Sequence, residues 1–161
     1  MHKFVIGVDP DSKFHGVAIY EDGKLTELHS LQLIELYTLI KNLKQFGKVI
    51  VSIEDNNAIS AIYAGRFGNK DSQAVKSKKA QHVGMCKQAQ IEVERACKEL
   101  GVEVVQWKPS KLWKDQDGKK QFESVTGWKG RSNEDTRSAS YFGWLLTQKS
   151  DKSRLIKSVM Q

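Results

Sequence analysis

Two acidic residues each close a short apolar run. Asp9 ends Phe4-Val5-Ile6-Gly7-Val8-Asp9, and Glu54 ends Val49-Ile50-Val51-Ser52-Ile53-Glu54. Runs of this length, rich in Val and Ile and bounded by turn residues, predict buried strands. A carboxylate at the last position of such a strand leaves the core where the loop opens. If the two strands lie side by side, their acids converge, and the repulsion between them calls for cations. Hard carboxylate oxygens suit Mg2+ or Mn2+. The chemistry expected is therefore metal-dependent phosphoryl transfer. One acid at a strand end is ordinary turn chemistry; two of them on a strongly basic chain carry the metal reading.

The 161 residues bear a formal net charge of +7, which points to a polyanionic partner. The cations come in groups: Arg66, Lys70, Lys76, Lys78 and Lys79; Lys108, Lys111, Lys114, Lys119 and Lys120; then Lys129 and Arg131. They fall in expected loops and helix starts around the acids, which favours nucleic acid over a membrane surface. No apolar stretch reaches bilayer length, and Met1-His2-Lys3 running straight into a strand is unlike a signal peptide, so no membrane role is expected. Cys86 and Cys97 fall on one predicted helix, about 16 Å apart along its axis and out of disulfide reach. Free thiols in a reducing cytosol are expected. His82 and Cys86 have an i, i+4 spacing that could serve zinc, but two further ligands are not evident, and a packed helix face is the preferred account.

The elements that must position the acids follow from periodicity and punctuation. Strands are predicted at 4–9, 15–20, 24–33, 48–54 and 102–107, the second and third joined by the hairpin-type turn Glu21-Asp22-Gly23. Ile34, Leu36, Tyr37, Leu39, Ile40, Leu43 and Phe46 have helical spacing, and Gly47 is expected to end that helix. Residues 56–77 read as a mobile loop carrying Tyr63, Arg66 and Phe67. A long helix is predicted over 78–100, with Val83, Cys86, Val93, Cys97 and Leu100 near heptad spacing, interrupted by Gln90. Pro109-Ser110 is expected to open a short helix, followed by a charged stretch from Lys114 to Lys120. Ser132 is a candidate N-cap for a last helix, with Asp135 three residues on, running to about Gln148. One domain over 1–148 with a loose basic tail over 149–161 is expected. Three meander strands, helix, strand, helix, strand, helix is the α/β element order of an RNase H-like fold, a five-stranded mixed sheet flanked by helices.

Several segments carry a family resemblance. Ile6-Gly7-Val8-Asp9-Pro10-Asp11-Ser12 is similar to an I-G-I/V-D-P-G-S opening, with Asp11 in place of the usual Gly. His15-Gly16-Val17-Ala18, Ile53-Glu54, Val83-Gly84-Met85, Gly101-Val102-Glu103-Val104, Lys108-Pro109-Ser110-Lys111, Thr126-Gly127-Trp128 and the run from Arg131 to Ala139 follow in matching order. Together they resemble the RuvC family of Holliday-junction resolvases, particularly phage-encoded versions, over most of the chain up to about residue 148.

The resemblance implies a homodimeric endonuclease that resolves four-way DNA junctions in a bacterial or phage-infected bacterial cytoplasm. It implies two Mg2+ (or Mn2+) ions, Asp9 bridging them and Glu54 and Asp135 holding one each. The family's last helix usually carries an acid or His and then, three residues later, an Asp immediately before Ala. Here Asp135 fills the first position and Ser138, before Ala139, the second. The site then works with Asp9, Glu54 and Asp135, helped or not by Glu134, or Ser138 marks a weakened nuclease. A second register would align Asp135 with the later acid, and Asp135 could also serve as a capping acid. A nuclease acting on RNA–DNA hybrids or flaps, and a catalytically silent nucleic-acid-binding domain, stay open as alternatives. Tyr63 or Phe67 could wedge into an unstacked base step, or simply anchor the loop. The stripe of Cys86, Val93, Cys97 and Leu100 is the candidate dimer face, unless it only covers the sheet.

Overall fold

The three central strands are buried on both sides, and helices supply the two covers. A computed structural model describes residues 2–57 and 71–159, with side chains up to residue 149. The strands are β1 (His2–Asp9), β2 (His15–Glu21), β3 (Lys24–Leu31), β4 (Gly47–Glu54) and β5 (Glu103–Trp107). The helices are α1 (Leu33–Leu43), α2 (Gln73–Glu99), α3 (Gln116–Thr126) and α4 (Glu134–Val159). The sheet order is β3-β2-β1-β4-β5. β1, β2 and β3 pair antiparallel as a meander, whereas β4 lies parallel to β1 and β5 parallel to β4. This is the mixed sheet expected from the element order.

Along β1 and β4 the side chains divide by period two. Phe4, Ile6 and Val8, with Val49, Val51 and Ile53, form one core with Leu36 and Ile40 of α1 and Val93 and Cys97 of α2. Val5 and Ile50 face the other way, into a core with Phe122 of α3 and Ala139 and Leu146 of α4. Each fully buried large side chain contributes about 1.5–3 kcal/mol.

Several boundaries differ from expectation, each for a local reason. Gly47 does not end α1; it starts β4, where a Cβ would stand 2.1 Å from the His2 carbonyl oxygen. α1 stops at Leu43, leaving Phe46 beyond it and exposed, and Ile34 in its first turn is exposed as well. α2 begins five residues before Lys78, because Ser72 caps it by accepting the Val75 N–H. No short helix opens at Pro109-Ser110. Instead α3 forms on the charged stretch, with Asp115 accepting the Gly118 N–H and Gly127 ending it in the left-handed region at φ 73°. Gly118 is required there, since a Cβ would meet the Trp113 backbone at 2.6 Å. α4 continues past Gln148 to Val159.

Of the apolar stripe on α2, Val93 and Cys97 are buried and Leu100 packs on the same core, whereas Cys86 is half-buried outside it. Most of the stripe therefore covers the sheet; Met85 and Val75 are the exposed large apolar residues of this helix. Both cysteines are free thiols on α2. Among the described residues no helix is long and apolar enough to cross a membrane.

Candidate active site

The register of the central strands brings the first two acids together. Val8 pairs with Ile53 in the parallel β1–β4 ladder, so Asp9 and Glu54 follow as neighbouring strand ends. Adjacent strands lie about 4.8 Å apart. Both residues are buried, and alternation turns them toward the face that α4 covers.

α4 can approach that face because glycine clears its path. A Cβ on Gly7 would lie 2.0 Å from the Ala139 carbonyl oxygen, and one on Gly143 would lie 2.7 Å from the Tyr20 ring. Two buried hydroxyls then tie the layers. Ser52 donates to the Phe142 carbonyl at 2.7 Å, and the Tyr20 hydroxyl donates to the Ser140 carbonyl at 2.7 Å. Trp107 of β5 donates its indole N–H to Ser52 Oγ at 2.7 Å, so three elements meet at that serine.

The same close packing seats Asp135. Gly16 is the antiparallel partner of Asp9, and a Cβ on Gly16 would stand 2.2 Å from the Asp135 carbonyl oxygen. The first turn of α4 is thus laid against the strand pair that carries Asp9. Burial pushes the Asp135 carboxyl above the usual range, with the charges of Asp9 and then Asp11 adding to the shift and Lys114 partly opposing it.

Ser132 is not the cap of α4. Asn133 Oδ1 accepts the Thr136 N–H at 2.8 Å while Thr136 Oγ1 accepts the Asn133 N–H at 2.9 Å, a reciprocal box. Asp135 is therefore released from capping. Glu134, on the same turn, is exposed.

Two polar atoms here suit a cation. Asp9 Oδ2 and Ser138 Oγ are buried and have no hydrogen-bond partner. An orphaned buried carboxylate oxygen is costly unless a positive charge serves it. Lys114 Nζ approaches the Asp9 oxygen at 3.6 Å, outside hydrogen-bond distance but close enough to offset its charge. Carboxylate and hydroxyl oxygens are the donor types a hard divalent ion takes, but the ligand atoms of Asp9, Glu54 and Asp135 do not all lie within 4.8 Å of one another.

Three further residues hold these groups in place, and sequence reasoning did not single them out for it. Arg137 is buried and donates to the carbonyls of Trp113 at 2.8 Å and Lys114 at 2.6 Å, and to Ser132 Oγ at 3.1 Å. It locks the segment bearing Lys114 to the start of α4. Gln90, the polar interruption in the α2 stripe, accepts from Asn56 N at 2.6 Å and Asn57 Nδ2 at 3.0 Å and donates to Asp55 Oδ1 at 2.8 Å. With the Asp55 N–H bonded to the Trp107 carbonyl at 2.8 Å, that side chain holds the chain leaving Glu54. His15, at the start of β2, accepts the Asp11 N–H at 3.2 Å; burial lowers its pKa against the pull of Asp11 and Asp9. A neutral imidazole is what an accepting Nδ1 requires. A lone apolar-stripe Gln and a helix-start Arg are the only signals the sequence offers.

Tyr63, Arg66, Phe67 and Lys70 lie outside the described residues.

No family model and no curated protein sequence matches the chain. Solved structures do. The chain is similar to T. thermophilus RuvC in complex with Holliday junction substrate, with a TM-score of 0.55, 16% identity, and coverage of 89% of this chain and 91% of that one. The Thermus thermophilus RuvC structure gives a TM-score of 0.53 at 14% identity, covering 89% and 92%. At this identity the likeness is one of fold, and it bears out the RuvC-like, RNase H-like architecture expected from the sequence.

Proposed function

We propose that this protein is a structure-selective endonuclease that resolves four-way DNA junctions by divalent-metal-dependent phosphodiester hydrolysis. The observation that carries this is the pairing of Asp9 and Glu54 as adjacent buried strand ends beneath the helix turn that bears Asp135. Asp9, Glu54 and Asp135 would hold two Mg2+ or Mn2+ ions. Bound there, such ions supply an activated water and stabilise the leaving oxygen. Support comes also from the fold shared with a RuvC bound to Holliday junction substrate.

The remaining residues bind and orient. Lys114 offsets the charge of Asp9 and stands ready to meet a phosphate at the same place. Lys108, Lys111, Lys129 and Arg131 are exposed on the segments flanking α3 and α4, and Lys120 on α3 itself, where they can hold the DNA backbone. Binding of this kind falls steeply with salt. Two paired cuts in a two-fold symmetric junction call for a homodimer. A bacterial or phage-infected bacterial cytosol is the compartment that suits this substrate.

A cleavage assay tests the reading. A mobile four-way junction, an RNA–DNA hybrid and a flap are compared with Mg2+ and with Mn2+. Preferential symmetric cutting of the junction is expected. Faster cutting of the hybrid or flap would assign the site to another nuclease activity. Tight junction binding with no cutting in either metal would leave a silent binding domain.

A further inference from the structure

We propose that Asp11, His82 and Cys86 form a second metal site, for Zn2+ or an ion of similar softness, separate from the carboxylate centre. Asp11 lies on the turn between β1 and β2, whereas His82 and Cys86 are one turn apart on α2. Cys86 Sγ is 3.6 Å from His82 Nε2 and 3.8 Å from Asp11 Oδ1, and the three potential ligand atoms all lie within 4.8 Å of one another. Ligands held tetrahedrally around zinc at about 2.0–2.3 Å are themselves about 3.3–3.8 Å apart. The observed spacing needs only small side-chain movements to become a coordination set.

The donor types select the ion. One sulfur, one imidazole nitrogen and one carboxylate oxygen suit zinc and are a poor match for Mg2+. Three protein ligands leave a fourth position for water. His82 is exposed and Asp11 and Cys86 are half-buried, so an ion can enter from solvent. The Asp11 side chain is held by its own turn, accepting the Ser12 N–H at 2.6 Å, while its backbone N–H is held by His15.

The site has a structural consequence. An ion there clips the turn two residues beyond Asp9 onto α2. One helical turn further along α2, Gln90 grips the segment that follows Glu54. The same helix would then steady the exits of both acid-bearing strands. Asp11 stands where the resembling family has Gly, so the clip would be a property of this chain and not of the shared fold.

Metal binding to the full chain is the test, with Co2+ as the spectroscopic probe and Zn2+ as competitor. Chelator-stripped protein should develop a thiolate-to-metal charge-transfer band that saturates with about one Co2+, whatever the carboxylate centre takes up, and Zn2+ should displace it. Cys97 is buried in the core, so the band reports Cys86. Cys86→Ser should abolish the band, and His82→Ala and Asp11→Gly should each weaken Zn2+ binding by on the order of tenfold or more. Asp9→Asn should keep the band, which separates this site from the carboxylate centre whatever the fate of the nuclease reading. Co2+ bound without a thiolate band overturns the proposal. So does an Asp11→Gly chain that binds Zn2+ as tightly as the parent, since the helix pair would then act alone.

Discussion

The two faces of the sheet are packed by different means. On the α1–α2 face, Ile, Leu and Val side chains interdigitate, and the helices are kept off the strands by the side chains between them. On the α4 face the backbone itself makes contact. Gly7 and Gly16 leave no room for a Cβ against Ala139 and Asp135, and buried Ser52 and Tyr20 hydroxyls bond to α4 carbonyls. Side-chain packing relaxes by small shifts when one methyl is lost; backbone contact fixed by hydrogen bonds has no such slack. The acids lie at the end of the tight face. A metal site needs ligands held to a fraction of an ångström, and direct helix-on-strand contact provides that.

The sharpest way to break this contrast is Gly7→Ala. Its methyl would press on the Ala139 carbonyl, and a loss of about 3 kcal/mol or more is expected in denaturant unfolding. A near-parental unfolding midpoint would mean that α4 is not held as tightly as its contacts imply.

Asp9→Asn should cut junction cleavage more than about a hundredfold while junction binding is largely kept. Cleavage within about tenfold of the parent, measured under single-turnover conditions, would sink the three-acid site.

Ser138→Asp sharpens the comparison from the other side. Its hydroxyl is fully buried without a partner, so a carboxylate there should cost about 3–5 kcal/mol in chelator. Added Mg2+ should restore stability and raise cleavage. Lower activity with the fold intact would mean that this position is not part of the metal site.

On the opposite face, Ile40→Val should cost only about 0.5–1.5 kcal/mol and leave cleavage unchanged. A cleavage defect in that variant would erase the division of labour between the faces.

The smallest effect is expected for the stability of Asp135→Asn without metal. The folded state raises the Asp135 pKa, so it binds the proton more tightly than the unfolded chain does. That acid therefore disfavours folding increasingly as pH rises from the normal carboxylate range through its raised value, and the penalty is absent at lower pH. The Asn variant should melt about 1–4 °C higher than the parent at neutral pH in chelator, and at nearly the parental temperature in acid. An equal difference at both pH values would assign the effect to something other than charge.

Much of this arrangement could be read from local pattern. The runs ending at Asp9 and Glu54 alternate and terminate as strands do, and a strand's side-chain period is a property of its own few residues. The boundaries of α1 and α3 were less legible, since glycine marks both a helix end and a close backbone approach. Gly47 and Gly118 turned out to be the second kind, and the nearby residues that make them so, His2 and Trp113, are fixed only by packing.

By itself the sequence determined the strand-end acids, the basic balance, the order of the elements and the free thiols, because each depends on neighbours along the chain. Only the tertiary structure decided the register that sets Asp9 beside Glu54 and the helix start that lays Asp135 over Gly16. The turn-to-helix approach that brings Asp11 to Cys86, 75 residues away, belongs there too. Those juxtapositions arise from burying both faces of one sheet at once, a condition that no window of the sequence contains.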